Sequence, residues 1–512
     1  MRALSKSKLL SYRQCAKRLW LEVHQPHLAE VNNGTAQRQV NGTSVGTIAR
    51  RVYDPGADGI LVDIAEGGID VALSQSKSLL DSEVPLFEAG VAAGGAMFFA
   101  DVMIRDSGEG ASGWRIVEVK SATSVKPYHE DDAAIQAYVA DSARLPLTSI
   151  SIATIDSSWT YEREGDYRGL FRETDVTSTA KSRKVEVADW IKQAEEILSQ
   201  EEAPAQTTGR HCSDPFDCGF AAHCRAGEPK LERPADWLPS VRNKDLKAAI
   251  DSGEAPELAD VPDELLNEIQ ARVKRCTIEG LEYFDAAGAR ADLAAYGFPA
   301  YFLDFETIAF PVPIWLGTRP YQKIPFQFSL HVVSASGELR RTGFLCVSGA
   351  NPSRRLAEAL LETCGTSGPV FAYNAGFERS VIVDLARTFP DLSSRLLALA
   401  GRLADLLPIA RARCYHPSQQ GSWSIKKVLT AVAPTLRYDD LEGVKDGGMA
   451  MDAYLEAIDP DTGDQRKKQI EAQLDRYCEL DTFAMVRLWQ FFRGDGPEMS
   501  LNHMDLSETS HL

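Results

Sequence analysis

The sequence of 512 residues predicts an α/β protein with two domains joined by a helical linker. Two observations lead to this prediction. Each half of the chain alternates apolar, β-rich runs with helical patterns, and in each half acidic residues interrupt those runs. We place the first domain at residues 1–226, the linker at 227–297, the second domain at 298–495 and a polar tail at 496–512.

The composition is that of an ordinary soluble protein, with 44% apolar and 25% charged residues. No stretch approaches the roughly 20 apolar residues of a membrane span, and the N-terminal segment lacks the apolar centre of a signal peptide. We therefore expect a cytoplasmic protein without a membrane partner. The net charge of −18 argues against a non-specific duplex binder, which is usually basic, so local cations would hold any nucleic acid.

The first half contains two strands that carry three polar side chains. An apolar run at 97–104 and a second run at 114–120 are separated by a polar, glycine-rich turn. If the hairpin turns near its middle, Asp101 lies close to Glu118, which shares a strand face with Lys120. Two acids can bind a divalent metal, and a lysine beside them can orient or polarise water. The pattern D…E-x-K on a hairpin is therefore a candidate metal site.

Four cysteines enclose this hairpin in the sequence. Cys212, Cys218 and Cys224 lie in a loop rich in Pro, Gly and Asp, where thiolates can converge, and Cys15 is the candidate for a fourth ligand. In a cytosolic protein we do not expect disulfides. Four thiolates can bind zinc or an iron–sulfur cluster.

The D…E-x-K hairpin between one distant and three clustered cysteines resembles the iron–sulfur RecB-type nucleases, which include the AddB nuclease domain and the CRISPR-adaptation exonucleases. The resemblance covers residues 1–226 and implies a PD-(D/E)xK, restriction-endonuclease-like domain. It implies that Asp101 and Glu118 bind a metal and that Lys120 is catalytic. It also implies that the four cysteines hold a [4Fe–4S] cluster that clasps the two ends of the domain together.

Parts of this family pattern are incomplete. In the helix predicted near 131–144, Gln136 fits the Q-x-x-x-Y motif as a substrate or water contact, but Ala140 occupies the expected Tyr position. Tyr138 is either a contact or a packing residue. The early helix where the family places a metal-binding His has none at residues 42–47. His129 is read as structural and Glu88 as an auxiliary acid.

In the second half, an apolar strand at 301–307 contains Asp304 and Glu306, which point to the same side. Adjacent buried acids repel each other unless a cation lies between them. The alternative is a strand end with two solvated acids. A later apolar run ends at Asn374, the predicted N-cap of a helix with Glu378 in its first turn.

A late helical pattern places Tyr477 and Asp481 on one face, because they are four residues apart. Between the strand and this helix, Trp423, Lys426 and Lys427 offer an aromatic ring and cations to a single nucleic-acid strand. Asp405 is a candidate secondary acid.

This ordered set resembles the DEDDy branch of the DnaQ-like 3′–5′ exonucleases, which have an RNase-H-like fold with a mixed sheet. The resemblance covers residues 298–495. It implies that Tyr477 orients the attacking water and that two Mg²⁺ or Mn²⁺ ions are held by four acids: Asp304, Glu306, Glu378 and Asp481. The family usually has Asp at the position of Glu378, and Asp384 is the alternative ligand.

The whole chain resembles a bacterial family of uncharacterised fusion proteins that joins these two nuclease types. The resemblance implies a metal-dependent enzyme with two nuclease sites that acts on DNA with single-stranded ends in repair, recombination or defence, with a helicase or a similar protein as its partner. Two alternatives stay open. One is a non-catalytic nucleic-acid-binding or scaffold protein with degenerate sites, and the other is RNA as the substrate.

Overall fold

The computed structural model of the chain describes residues 3–30, 33–106 and 113–495, with the backbone alone for 33–41. The predicted tail at 496–512 lies outside the described residues. The chain forms two compact units. Unit 1 comprises Met1–Lys230 and Ala309–Gln322, and unit 2 comprises Leu231–Ile308 and Lys323–Leu512. Both units mix helices with a sheet, so the predicted α/β class is confirmed.

A mixed seven-stranded sheet organises unit 1. Its strands are β1 (Leu4–Ser5), β2 (Ile60–Leu61), β3 (Leu86–Ala93), β4 (Ala96–Asp106), β5 (Gly113–Lys120), β6 (Leu147–Ile155) and β7 (Phe171–Asp175). Their order is β2-β3-β4-β5-β6-β7, and β1 pairs with β4. β3, β4 and β5 form an antiparallel meander, whereas β6 runs parallel to β5. The strands predicted at 97–104 and 114–120 are confirmed as parts of β4 and β5.

The α-helices described in unit 1 are α1 (Lys6–Gln14), α2 (Ala16–His24), α3 (Asn33–Tyr53), α4 (Gly68–Leu79), α5 (Pro127–Ser142), α6 (Thr177–Ser182), α7 (Lys184–Leu198) and α8 (Ala221–Ala226). α5 begins with a proline, which suits the first helical position. It connects β5 to the parallel strand β6 and is buried against the sheet. Its polar residues Asp132 and Gln136 are buried as well, so they need partners within the fold.

Residues 309–322 lie between two strands of unit 2 in sequence but belong to unit 1. Val312 packs there with Val45, Ile48 and Leu170. The backbone N–H of Tyr161 donates to the carbonyl of Thr318 at 3.0 Å. Unit 1 is therefore built from two separate parts of the chain.

A five-stranded sheet organises unit 2, in the order β11-β10-β9-β12-β13. The strands of this unit are β8 (Tyr283–Phe284), β9 (Ala300–Ile308), β10 (Ile324–Val333), β11 (Leu339–Leu345), β12 (Val370–Ala372), β13 (Leu403–Asp405) and β14 (Cys414–Tyr415). β9, β10 and β11 are antiparallel, and β12 and β13 continue the sheet in parallel with β9. β8 and β14 form a separate pair.

The α-helices described in unit 2 are α9 (Lys244–Ser252), α10 (Glu268–Glu279), α11 (Ala286–Leu293), α12 (Ser353–Thr363), α13 (Gly376–Thr388), α14 (Ser393–Ala400), α15 (Leu406–Arg413), α16 (Ile425–Val432), α17 (Gly447–Ile458) and α18 (Asp464–Arg493). α18 packs across β9 and β10. The helices of the predicted linker share a hydrophobic core with it, which includes Leu246, Val273 and Trp489. In the described part of the chain, no helix is long and apolar enough to cross a membrane.

Candidate functional sites

Strand β9 and helix α18 bring together acids from distant parts of the sequence. Asp304 and Glu306 lie two positions apart on β9 and point to the same face. α18 packs on this strand and carries Asp481 and Cys478. One carboxylate oxygen each of Asp304 and Glu306 and the Sγ of Cys478 lie within 4.8 Å of one another. We call the group Asp304, Glu306, Glu378 and Asp481 the unit 2 site.

Glu378 joins this group from the first turn of α13. Its side chain is buried, and its Oε2 atom has no hydrogen-bond partner. A buried carboxylate oxygen without a donor is unfavourable, and a metal ion would satisfy it. The alternative ligand Asp384 lies further along the same helix, where it pairs with Arg387 at 2.9 Å.

The predicted N-cap of α13 is wrong. Asn374 has a φ of 69°, a left-handed conformation that Asn tolerates, and Ala375 is the residue that precedes the helix. The N–H of Asn374 donates to Asp405 Oδ1 at 2.9 Å, and the same oxygen caps α15 by accepting from the N–H of Leu407 at 2.9 Å. Asp405 therefore has a structural role in capping.

Burial raises the pKa of every acid of the unit 2 site, and repulsion from other site acids adds to this for Asp304 and Glu306. The pKa of Asp304 is well above its usual value because of burial and the charges of Asp481, Glu306 and Glu378. Burial and Asp481 raise the pKa of Glu306 to about 8. Burial raises the pKa of Glu378 to about 7 and that of Asp481 to about 6. Within residues 3–30, 33–106 and 113–495, none of these acids has a salt bridge to Lys, Arg or His.

Two tyrosines lie beside Asp481. The hydroxyl of Tyr438 donates to Asp481 Oδ1 at 2.6 Å, and Tyr477 lies one helical turn before Asp481 on α18 and lowers its pKa. The Tyr438 and Tyr477 ring centroids are 6.3 Å apart. Lys426 Nζ lies 4.5 Å from the Tyr438 ring centroid and 5.5 Å from that of Tyr477. Tyr438 was not predicted, because it lies in a short loop element with no periodic pattern.

Only part of the predicted strand-binding segment is available to a ligand. Trp423 is buried, and its indole N–H donates to the carbonyl of Cys414 at 2.8 Å. It therefore offers no ring for stacking on a base. Lys427 donates to Gln420 Oε1 at 2.8 Å. Lys426 is the cation of this segment that lies beside the unit 2 site.

Three neighbouring strands of unit 1 place acids at the same level of the sheet. Glu88 on β3 lies at the level of Asp101 on β4, and extending the β4–β5 register by one residue puts Asp101 opposite Glu118. The N–H of Val119 donates to Asp101 Oδ2 at 2.7 Å. Burial is the main cause that raises the pKa of Asp101 and that of Glu88. The hairpin thus brings Asp101 and Glu118 together.

Glu118 is 2% exposed, and both of its carboxylate oxygens are occupied. Lys120 Nζ donates to its Oε1 at 2.6 Å, and Lys6 Nζ donates to the same oxygen at 2.7 Å. Gln136 Nε2 donates to its Oε2 at 2.6 Å. Asp132 accepts from Lys120 at 2.7 Å and from Gln136 at 2.9 Å. We call these residues together with Asp101 the unit 1 site.

The two lysines largely compensate the acids of the unit 1 site. Burial alone would lower the pKa of Lys120, but the charges of Asp132, Glu118 and Asp101 raise it well above its usual value. Burial alone would raise the pKa of Asp132, but Lys120 and Lys6 hold it well below its usual range. Burial and the charges of Asp101 and Asp132 raise the pKa of Glu118 to about 7.

The sequence analysis did not identify Lys6 and Asp132 as residues of the site. Asp132 is four residues before Gln136, so it shares a face of α5 with the predicted contact, and this spacing was an available signal. Lys6 has no such signal, because it reaches Glu118 from 112 positions away in the sequence. Its location follows from the parallel pairing of β1 with the first two residues of β4.

Two other residues named from the sequence have structural roles. The Nδ1 atom of His129 accepts from the N–H of Lys126 at 3.1 Å and caps α5. Burial lowers the pKa of His129 to about 4. The hydroxyl of Tyr138 donates to the carbonyl of Gly94 at 3.1 Å, at the turn between β3 and β4.

The four cysteines named from the sequence line a single cavity of unit 1: Cys15, Cys212, Cys218 and Cys224. All four are free thiols. Cys15 lies between α1 and α2, whereas the other three lie in the segment that ends in α8. The N–H of Cys218 donates to the carbonyl of Cys212 at 2.8 Å, which folds the loop that carries them.

The spacing of the four Sγ atoms can be compared with the spacing that a tetrahedral zinc site requires. Among the described residues, no three of the four Sγ atoms lie within 4.8 Å of one another. Tetrahedral zinc, with Zn–S bonds of about 2.3 Å, would require sulfur atoms about 3.8 Å apart. The thiols are therefore spread more widely than tetrahedral zinc requires, and four thiols around one cavity are also the donor set of a [4Fe–4S] cluster. Lys17 and Arg18 also line the cavity. Burial raises the pKa of Cys15, Cys218 and Cys224, and the charges of these two cations partly oppose the rise.

Residues 301–424 match a family model described as a domain of unknown function, DUF2779. The match includes Asp304, Glu306 and Glu378 but ends before α18, which carries Tyr477 and Asp481. No curated protein matches the chain.

Proposed function

We propose that the chain is a metal-dependent nuclease with one hydrolytic site in each unit, and that it hydrolyses phosphodiester bonds of DNA. The observation that carries this proposal is the unit 2 site. Three buried carboxyl groups and the partly buried Asp304 have no salt bridge within the described residues, and one of them has an unsatisfied oxygen; such a group is unfavourable unless cations neutralise it. Hard oxygen donors in this number suit Mg²⁺ or Mn²⁺.

The topology of unit 2 supports a DnaQ-like exonuclease domain with an RNase-H-like sheet. Three antiparallel strands are followed by two strands parallel to the first one, with helices between them. The acids lie on the first strand, at the start of α13 and on the last helix, which is the order of the DEDDy pattern. Tyr477 precedes Asp481 by one turn, as that pattern requires.

The topology of unit 1 supports a restriction-endonuclease-like domain. The meander β3–β4–β5, the crossover helix α5 and the parallel strand β6 surround the D…E-x-K residues. Asp101 and Glu118 lie across adjacent strands, and Lys120 follows on the same face as Glu118. These positions are those from which a metal and a water would be held.

In the unit 2 site, bound divalent ions would supply activation of water and stabilisation of the leaving oxygen. Asp304, Glu306, Glu378 and Asp481 would hold the ions. Burial and the charges of Asp481 and Glu306 raise the pKa of Tyr477, so its phenol stays protonated at neutral pH. Tyr477 therefore positions the water by a hydrogen bond and does not act as the base.

In the unit 1 site, Asp101 and Glu118 would hold a metal ion, which would supply the same polarisation of water. The Lys120 ammonium stays charged and offsets the negative charge that develops at the phosphate. Gln136 orients Glu118 through its hydrogen bond. A [4Fe–4S] cluster at the four cysteines would have a structural role, because it would join the region of α1 and α2 to that of α8.

We further propose that the unit 2 site removes nucleotides from 3′ ends of single strands, with DNA repair, recombination or defence as the setting and a helicase-like partner as the source of single strands. The net charge of −18 disfavours non-specific binding of a duplex. Lys426 is a cation beside the carboxylates and can contact a phosphate at the site.

An assay on end-labelled single- and double-stranded DNA and RNA tests the proposed activity. Wild-type protein with Mg²⁺ or Mn²⁺ should degrade DNA, and EDTA should stop the reaction. The double variant Asp304→Asn/Glu118→Gln should be inactive, whereas Asp384→Asn, a change of an acid on α13 outside the site, should leave activity intact. Wild-type protein that cleaves nothing would favour a binding or scaffold protein, and cleavage of RNA alone would replace the DNA assignment.

Metal analysis tests the cluster. Anaerobically purified protein should be brown and contain about four iron atoms per chain. Cys212→Ser should lower the iron content sharply, and Cys276→Ser, a change of a buried cysteine of unit 2, should not. Stoichiometric zinc without iron would contradict the cluster.

A further inference from the structure

Lys6 places a positive charge within the unit 1 site. It is the first residue of α1, and β1 anchors it by pairing with β4, the strand that carries Asp101. Its Nζ lies 2.7 Å from Glu118 Oε1 and 3.4 Å from Asp132 Oδ1. Its side chain is only 20% exposed. The contact with Glu118 is therefore a partly buried ion pair within the site.

This ion pair conflicts with metal binding by Glu118. Lys6 and Lys120 both donate to Oε1, which leaves no lone pair of that oxygen for a further cation, whereas Oε2 accepts from Gln136 alone. A divalent ion at the same oxygens would meet the charge of an ammonium group at close range, and such repulsion is strong in a buried site. One of the donors to Oε1 has to leave before a metal can bind there.

Lys6 is the donor that can leave. Lys120 is held by two short contacts, at 2.6 Å to Glu118 and 2.7 Å to Asp132. Lys6 has one short contact, and its contact with Asp132 is longer, at 3.4 Å. The long, flexible stem of a lysine allows its ammonium group to turn to another anion without a change of backbone. A phosphate of a bound strand is such an anion.

We propose that Lys6 occupies the metal position of the unit 1 site until nucleic acid binds, an inference that rests on the proposed nuclease function. A phosphate of the strand then takes over the Lys6 ammonium group, Glu118 becomes free, and the divalent ion binds. Metal and nucleic acid therefore bind to unit 1 with positive coupling, and by linkage each raises the affinity for the other. Lys6 is a positioning residue in this account, because it acts on the metal through Glu118.

Binding of Mn²⁺ tests this role without a measurement of activity. The full chain carries Asp304→Asn and Asp481→Asn, so that the unit 2 site does not contribute, and free Mn²⁺ is measured by EPR. With Lys6 present, Mn²⁺ binding should be weak and should tighten when a phosphorothioate single-stranded DNA oligonucleotide, which resists cleavage, is added. Lys6→Met should bind Mn²⁺ about tenfold tighter or more without DNA, and DNA should add little to it. Lys6→Arg, which keeps the charge, should behave as Lys6 does.

Equal or weaker Mn²⁺ binding by Lys6→Met, or unchanged coupling to DNA, would overturn the role of Lys6. If Lys6→Met does not fold by circular dichroism, Lys6→Gln, which keeps a hydrogen bond without the charge, decides in the same way. Glu118→Gln separates this result from the proposed function. If Glu118→Gln loses Mn²⁺ binding and Lys6→Met has no effect, the proposed metal site is supported and the role of Lys6 is wrong. If Glu118→Gln binds Mn²⁺ as the parent does, the proposed metal site of unit 1 is itself wrong.

Discussion

The two carboxylate sites differ in how the negative charge of their acids is balanced. In unit 1, Asp101, Glu118 and Asp132 lie among Lys6 and Lys120, which form ion pairs with the latter two acids. In unit 2, three buried acids and the partly buried Asp304 have no such partner among the described residues, and their pKa values are all raised. The acids of the unit 1 site are thus largely balanced by its own lysines, whereas in the unit 2 site Lys426 is the cation that lowers the pKa of Glu306 and Asp481 without an ion pair. The bound cations that we propose for unit 2 would supply the remaining balance.

Asp304→Ala is the change with the largest expected effect. Asp304 is the acid on which the charges of all three other site acids act, so its loss should displace both metal ions and abolish release of a 3′ label from single-stranded DNA. The activity of unit 1 should remain. Asp384→Ala is the matched control, because this acid pairs with Arg387 at the surface. Release of the 3′ label at the wild-type rate would show that Asp304 is not part of the active site.

Lys120→Met should eliminate the activity that depends on Glu118 and leave the unit 2 activity unchanged. We expect a loss of about 10²-fold or more, the range of a positioned acid–base group. The measurement is cleavage by the chain in an Asp304→Ala background, with the iron content as a check that the fold is intact. A Lys120→Met protein that cuts DNA as well as its parent shows that unit 1 does not use this lysine for chemistry.

Tyr477→Phe tests whether the hydroxyl on α18 positions water. We expect turnover at the unit 2 site to fall about 10²-fold, while Mn²⁺ binding measured by calorimetry persists. Tyr438→Phe removes the hydrogen bond to Asp481 Oδ1 and serves as the comparison, with a smaller loss. A Tyr477→Phe enzyme that is as fast as the wild type would disprove the positioning role.

The stability of the metal-free protein should fall as pH rises through neutrality. Folded Asp481, Glu378 and Glu306 have pKa values of about 6, 7 and 8, all above those of unfolded acids. Between pH 5 and 8 the folded state therefore binds more protons than the unfolded state, so the free energy of unfolding decreases with pH.

Thermal melts of the metal-free protein at pH 6 and pH 8 measure this effect, which is the smallest of the four. Glu306→Gln should reduce the difference in Tm between the two pH values, and saturating Mn²⁺ should reduce it further. A Tm that rises between pH 6 and pH 8 in the wild type and is unaffected by Glu306→Gln would show that other groups already balance the charges of these acids.

Local periodicity predicted the residues that share an element. The strand period placed Asp304 beside Glu306, and the helix period placed Tyr477 beside Asp481. The β4–β5 hairpin placed Asp101 near Glu118 because a hairpin fixes its own register. The α/β class also followed from the alternation of these patterns.

Residues that reach a site from elsewhere in the chain could not be predicted in this way. Lys6 arrives through the pairing of the two-residue strand β1, and Tyr438 arrives from a loop. Neither carries a periodic signal, and only tertiary packing places them. The prediction of Asn374 as an N-cap is wrong for a local reason, because the chain turns through this left-handed residue before α13 begins.

Digestion of a single-stranded DNA oligonucleotide, labelled at its 5′ or its 3′ end, tests the central claim most directly. The full chain carries Lys120→Met, so that only the unit 2 site can act, and the reaction contains Mg²⁺ or Mn²⁺. The account predicts early release of the 3′ label as a mononucleotide and a shortening ladder from the 5′ label, both abolished by Asp304→Ala. No release of either label, or release from the 5′ end alone, would contradict it.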